Sequence, residues 1–129
     1  MYDEDDPLLA RVRELCLGRP ETREKESHGR PTFFAGSRGF AQFGVAGPDD
    51  RRLLVRPDDA ERAALLQHPR ASVPPYLGPS GWLGYDLVDD PGLPPVDWDE
   101  MAELVQDSWD RVALVRMRRA WAEQEQADG

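Results

Sequence analysis

The chain contains little cysteine and no long apolar segment, and these two absences exclude several classes of protein. Its 129 residues include one cysteine, Cys16, which excludes an internal disulfide framework and any zinc site built from several thiolates. No run approaches the ~20 apolar residues that cross a bilayer. Residues 1–6 (MYDEDD) are acidic where a signal peptide needs a basic segment followed by an apolar one. We therefore expect a cytoplasmic protein with no membrane association.

No catalytic or nucleotide-binding signature is evident either. The chain has no catalytic triad that can be recognised from sequence, and no Gly-Lys-Ser/Thr opens a helix as a phosphate-binding loop requires. Cys16 falls on an apolar stripe, where we expect it to be a small buried hydrophobe. The sequence thus predicts a non-enzymatic protein with no cofactor and no bound metal.

Acidic residues outnumber basic residues, and this balance bears on nucleic-acid binding. The formal net charge is −9, and phosphate neutralisation needs local positive charge. Residues 11–38 carry seven basic and four acidic groups, residues 86–107 carry eight acidic groups and no basic one, and residues 108–121 carry four arginines against Asp110. Local basic surfaces are therefore compatible with an acidic chain. Fifteen of the sixteen basic residues are arginine, which also fits a GC-rich genome.

Hydrophobic periodicity and turn residues predict an α+β protein. We expect a single domain over residues 1–129, with an ordered core over roughly 7–119 between an acidic N-terminal and a polar C-terminal tail. Strands in a row between helices indicate an antiparallel sheet packed by N- and C-terminal helices plus a short middle helix. The predicted elements are a helix from Pro7 to Gly18, a polar segment over 21–30, strands over 31–35, 40–45 and 52–56, a short helix over 57–68, extended segments over 73–77 and 81–87, and a long last helix that starts at Asp97 and frays after Trp121.

Two finer predictions concern which helical side chains are buried. The short middle helix is expected to bury Ala60, Ala63, Ala64 and Leu65. The apolar stripe of the last helix, which starts with a capping box at Asp97, is expected to continue unbroken to Val115.

Four motifs follow one another along the chain: 15–20 (LCLGRP), 26–33 (ESHGRPTF), 76–78 (YLG) followed by 81–82 (GW), and Trp98 with 107–113 (DSWDRVA). In this order they resemble the MmcQ/YjbR family of small bacterial proteins, although Trp109 stands where Tyr is more usual. The resemblance covers roughly residues 8–117 and implies a frataxin-like (CyaY-like) α/β fold of the kind called double-wing. It also implies a DNA-binding role.

Four arginines are predicted to contact DNA phosphates. Arg30 precedes the first predicted hairpin, Arg38 lies in its turn, and Arg116 and Arg118 come late in the last helix. Residues 36–39 (GSRG) have the form of the loop that clamps nucleic acid in KH domains, but that loop joins helices whereas this one is predicted to join strands. The helical arginines equally suit the helix C-terminus.

Two residues are candidates for a ligand groove. His28 could bind an anion or pass a proton, or its ring could simply hold the loop. Trp82 could stack on a base or a small ligand, or it could belong to the core. The acidic stretch from Asp86 to Asp107 could bind a divalent cation or a basic partner, or it could be solvated surface. The alternative function is therefore an adaptor for a protein or a small ligand that uses the Trp82 groove and the acidic surface.

Overall fold

The fold is built on one antiparallel sheet, seen in a computed structural model that describes residues 2–128. The spatial order of the strands is β1-β2-β3-β4-β6-β5, so β1 and β5 are the two edges. The α+β prediction with an antiparallel sheet is confirmed. The helices are α1 (Pro7–Cys16), α2 (Asp59–Leu65), α3 (Trp98–Val112) and α4 (Val115–Asp128), and the strands are β1 (Thr22–Ser27), β2 (Arg30–Ala35), β3 (Arg38–Phe43), β4 (Arg52–Val55), β5 (Ala71–Ser72) and β6 (Leu83–Asp86), with a 3-10 turn at Gly78–Ser80.

The first helix begins where its sequence predicts and ends two residues earlier, at Cys16 instead of Gly18. Asp6 Oδ1 accepts a hydrogen bond from the Leu8 N–H at 2.9 Å, and Pro7 occupies the first helical position. Leu9, Val12 and Cys16 are buried on one face. Burial raises the pKa of the Cys16 thiol, so this side chain behaves as a hydrophobe.

One face of the sheet packs against α1 and α3 and forms the core. Residues paired across four strands, Phe33, Ala41, Val55 and Leu83, are all buried there. Because successive side chains of a strand point to opposite faces, the neighbouring row projects from the other face. That second row contains Thr32, Gln42, Leu54, Gly84 and Ser72.

The polar segment over residues 21–30 forms a strand, which the sequence did not predict. Strand β1 pairs along its whole length with β2, and Ser27 pairs with Arg30 across the two-residue turn His28-Gly29. Both turn residues have positive φ, 52° and 79°, as a type I′ hairpin turn requires. The segment was missed because an edge strand of this kind sends no side chain into the main core, so its sequence lacks apolar alternation.

The prediction for the buried side of the middle helix was wrong. Ala60, Ala63 and Ala64 are exposed, and Leu65 is half-buried. Leu65 and Leu66 at the end of α2 pack against the core, and the Arg62 guanidinium donates to the carbonyls of Gly78 and Trp82. The helix is therefore attached by its C-terminal leucines and a polar contact, and the three alanines do not contribute a buried face.

The last helix is two helices rather than one. Ala113 is extended, with ψ of 142°, and it ends α3 before α4 starts at Val115, which is 54% exposed. The segment after Trp121 remains helical to Asp128, whereas fraying was expected. Trp121 packs edge-on against Trp109, with ring centroids 6.3 Å apart. Within residues 2–128, no helix combines the length and the apolar character needed to cross a bilayer.

We predict that Ser108→Ala destabilises the fold by about 2 kcal/mol, because it removes two hydrogen bonds that join α3 to the sheet. The buried Ser108 hydroxyl donates to the Phe40 carbonyl and accepts from the Arg56 N–H. Urea unfolding should show a lower midpoint with an unchanged slope. The exposed Ser80→Ala is the control and should be neutral. A loss below about 0.5 kcal/mol in Ser108→Ala would contradict this role.

Candidate functional site

Three arginines that are distant in sequence lie together at one end of the sheet. Arg38 begins β3, Arg56 follows β4, and Arg111 is in the last turn of α3. The pKa of Arg56 is lowered by burial and by the positive charges of Arg38 and Arg111. We call these three residues the arginine end.

The ion pairs of the described residues do not use the arginine end. Those pairs involve Arg13, Arg51, Arg52 and Arg116, within the stretch from residue 2 to residue 128. The arginine end therefore gathers positive charge that is not neutralised by an ion pair of that stretch. A charge arrangement of this kind attracts anions.

Trp82 lies beneath the arginine end and does not line a groove. Its side chain is 7% exposed, and the Arg56 guanidinium lies 5.6 Å from the centre of its ring. The indole thus supports Arg56 through a cation–π contact. Trp82 is therefore too buried for a small ligand to contact it directly.

Arg116 and Arg118, which the sequence placed with Arg38, have partners of their own. Arg116 pairs with Glu21 at 2.8 Å, and it lines a cavity of about 140 Å³ beside Arg38. Arg118 donates to the carbonyls of Asp110 and Ala113 and so caps the end of α3. Arg116 is therefore at the margin of the arginine end, and Arg118 has a structural role.

Arg30 is held in the interior and is not part of the arginine end. It is 4% exposed and donates to the carbonyls of Phe43, Gly47 and Asp50 at 2.9, 2.9 and 2.7 Å. Burial lowers the pKa of its guanidinium. Arg30 and Arg38 lie near opposite ends of the β2–β3 hairpin. Arg30 is therefore not proposed as a contact for DNA phosphate.

A cavity of about 400 Å³ opens on the face of the sheet away from α1 and α3. Its wall brings His28 together with Tyr76, not with Trp82. His28 is exposed, and Tyr76 is 86% exposed with a φ of 66°. The remaining lining residues are Arg30, Gln42, Val45 and Leu77. The connection between β5 and β6, which carries Tyr76 and Leu77, therefore crosses this face of the sheet.

Sequence reasoning missed Arg56 and Tyr76 as candidate site residues, and it counted Arg111 in a basic patch of the last helix without selecting it as a phosphate contact. Arg56 and Arg111 end a strand and a helix, and such positions suit an arginine without any function. Tyr76 was noted only as part of a family motif. The sequence feature that could have identified Tyr76 is its position in a Pro- and Gly-rich segment, residues 74–81 (PPYLGPSG). An aromatic side chain has little to pack against in such a segment.

The connection between β3 and β4 forms one side of this cavity and is organised by Asp50. The Asp50 carboxylate accepts from the N–H groups of Val45 and Ala46 at 2.8 Å and pairs with Arg52 at 2.8 Å. Burial alone would raise its pKa, but the hydrogen bonds and the Arg52 charge hold the pKa of Asp50 far below its ordinary value.

Three of the eight acidic residues between Asp86 and Asp107 serve local structure. Asp86 accepts from Val88 N–H, Asp90 accepts from Gly92 N–H, and Asp97 caps α3 as predicted by accepting from the N–H groups of Asp99 and Glu100. Over residues 2–128, no group of three or more His, Cys, Asp or Glu side chains is arranged to hold a metal ion.

We predict that Asp50→Asn flattens the loss of stability in acid. The pKa of Asp50 is lower in the folded chain than in the unfolded chain, where it is about 3.9. Its stabilising contribution is therefore complete above that value and is lost as the pH falls towards the folded pKa. Urea unfolding measured from pH 6 down to the acid limit of folding checks this. The neighbouring Asp49→Asn should keep the full acid-dependent loss, and equal slopes in all three proteins would contradict the assignment.

Comparison with known proteins places the chain in a family. The family model described as YjbR matches residues 17–111, which include all six strands and most of α3. None of the curated proteins matches the chain. Among solved structures, the crystal structure of Deinococcus radiodurans protein DR2400, described as a DUF419 domain, is similar with a TM-score of 0.68 at 21% identity, covering 88% of this chain and 87% of that one. At this identity the likeness shows the fold alone, and the frataxin-like comparison stays a prediction. Since the family match covers more than half of its residues, this chain belongs to the YjbR family.

Proposed function

We propose that the protein is a non-enzymatic DNA-binding protein that contacts the phosphate backbone through the arginine end. The observation that carries the proposal is the convergence of Arg38, Arg56 and Arg111, none of which takes part in an ion pair among residues 2–128. The DNA-binding role implied by the resemblance to MmcQ/YjbR proteins adds to this support.

The repulsion that Arg38 and Arg111 exert on Arg56 favours a bound anion. Burial and then the positive neighbours oppose the charge of Arg56 and lower its pKa. A phosphate placed among the three groups would remove that repulsion and accept several charge-assisted hydrogen bonds. Duplex DNA presents a negative charge about every 1.7 Å along its axis, so more than one phosphate can meet this end of the sheet.

The net charge of −9 does not prevent such a contact. At physiological ionic strength, exposed charges farther apart than about 8 Å are largely screened. The electrostatic potential that DNA experiences is then determined by the charged groups near the contact. Glu61 is close enough to feel the charge of Arg111 and the carboxylate of Asp107, so the acidic side chains of α2 and α3 bound the surface on one side.

The hairpin turn beside the arginine end suits insertion into a groove or docking along a backbone. Ala35 pairs with Arg38 across the two-residue turn Gly36-Ser37, in which Gly36 has a φ of 60°. The turn is therefore narrow and carries Arg38 directly after its tip. Beside it, Leu114 and Val115 are 49% and 54% exposed and offer apolar contact to sugars.

The non-enzymatic part of the proposal rests on the surroundings of His28. A histidine that acts as an acid or base usually has an orienting partner within hydrogen-bond reach. The lining of the His28 cavity contains an arginine and a glutamine but no carboxylate within the described part of the chain. That setting favours binding over proton transfer.

We predict that Arg38→Ala and Arg111→Ala each weaken binding to duplex DNA and reduce its salt dependence. Each lost phosphate contact should lower the slope of log K against log salt concentration by about 0.9. Fluorescence anisotropy of a labelled duplex at several salt concentrations gives both quantities. The double variant should lose close to twice the slope of either single variant.

The matched control is Lys25→Ala, which removes the same charge from an exposed position on β1. It should leave the slope within the error of the unmodified protein. Absence of binding at low salt, or an equal effect of Lys25→Ala and Arg38→Ala, would refute the arginine end as the DNA contact.

A further inference from the structure

The cavity that contains His28 and Tyr76 has a buried positive charge in its wall. Arg30 is 4% exposed, and its guanidinium donates to three backbone carbonyls. Within residues 2–128 it forms no direct ion pair, although the charges of Asp50 and Asp6 favour its charged form from farther away. A buried cation without an ion pair is costly, and carbonyl dipoles only partly offset that cost. An anion that enters the cavity is therefore stabilised by a charge that is already desolvated.

Hydrogen-bond donors remain for such an anion. A guanidinium has five N–H groups, and Arg30 gives single hydrogen bonds to Phe43, Gly47 and Asp50. The Gln42 amide donates to the Gly44 carbonyl and has a second N–H. Both side chains line the cavity, so a planar acceptor with two oxygens can meet donors from each of them.

The rest of the lining is suited to an aromatic ring. Val45 and Leu77 supply apolar wall, and the exposed Tyr76 and His28 stand at the outer part of the cavity. An exposed tyrosine presents a ring face that a planar ligand can cover. The volume of about 400 Å³ lies in the range of small-molecule sites, roughly 300–1,000 Å³.

Backbone strain at the opening agrees with this arrangement. His28 and Tyr76 are two of three described residues other than glycine with positive φ, 52° and 66°. For His28 the type I′ turn explains the conformation. Tyr76 precedes Leu77 in a connection, and its positive φ leaves the ring in solvent instead of against the sheet. Strained residues of this kind gather at ligand sites.

We propose that this cavity binds a small aromatic carboxylate, with the carboxylate near Arg30 and Gln42 and the ring between Leu77, Val45 and Tyr76. The site is separate from the arginine end, because Arg30 and Arg38 lie near opposite ends of a six-residue strand pair, which is about 20 Å long. The proposal therefore stands or falls independently of DNA binding.

The test is a ¹H–¹⁵N NMR titration of the full chain with indole-3-carboxylate, and in parallel with the neutral indole-3-carboxamide. We expect saturable shifts for the amides of Gly29, Gln42 and Leu77, with a Kd below about 1 mM for the carboxylate. The carboxamide should bind at least about ten-fold more weakly, because it lacks the charge that Arg30 favours.

Tyr76→Ala should weaken binding of the carboxylate about three- to ten-fold through loss of the ring contact. This variant is expected to fold, since the side chain is 86% exposed. Val73→Ala, which shortens an exposed side chain of the same connection outside the cavity lining, is the control and should bind normally. The proposal is overturned by any of three results: no saturable shift at the cavity, equal binding of carboxamide and carboxylate, or full affinity in Tyr76→Ala.

Discussion

The buried guanidinium of Arg30 is the interaction on which the cavity face of the sheet depends. Its three hydrogen bonds draw the end of β3 and the connection to β4 around one cation. Gly44 has a φ of 73°, and a Cβ there would overlap both the Arg30 guanidinium and the Asp50 carbonyl. Glycine at this position thus lets the backbone close on the arginine. Asp50 then fixes the same connection from its other side through Arg52 and two backbone N–H groups.

This constraint separates two kinds of positive charge in an acidic protein. Arg30 is desolvated, has a lowered pKa and lines the open cavity of His28 and Tyr76. Arg38 and Arg111 are exposed and lie with Arg56 at the other end of the strand pair. A desolvated cation in a cavity can bind an anion that is small enough to enter the cavity. Exposed arginines can bind the phosphates of a polymer. The sheet keeps the two settings apart.

The starts of α1 and α3 and the inner strands could be predicted because their chemistry is local. Asp6-Pro7 and Asp97 are strong helix starts, and the apolar runs of β2, β3 and β4 reflect burial on the core face. Strand β1 could not be predicted, because its stability comes from backbone pairing with β2 and from polar contacts such as that between Arg13 and Glu24. The break between α3 and α4 at Ala113 could not be predicted either, because no proline or glycine marks it in the sequence.

The roles of the arginines were the least accessible part of the site. Arg30, Arg38 and Arg118 look alike in the sequence, yet one is buried against carbonyls, one is exposed and one caps a helix. Which carbonyls a guanidinium reaches depends on contacts between residues far apart in the chain. Arg56 and Arg111 join Arg38 only because β3 begins at the side of the fold where β4 and α3 end. His28 was a useful candidate, but its neighbour Tyr76 follows from the path of the β5–β6 connection.

The measurement that tests the central claim most directly is one NMR experiment in which a short DNA duplex is titrated into the labelled protein at low salt. If the two surfaces are separate, DNA should shift the amide signals of Arg38, Arg56 and Arg111. The amide signals of His28, Gly29 and Leu77 should stay unchanged. Subsequent addition of indole-3-carboxylate to the DNA complex should then shift the second group without reversing the first. Shifts at the cavity on addition of DNA, or displacement of DNA by the carboxylate, would show that one surface serves both ligands and would contradict the account.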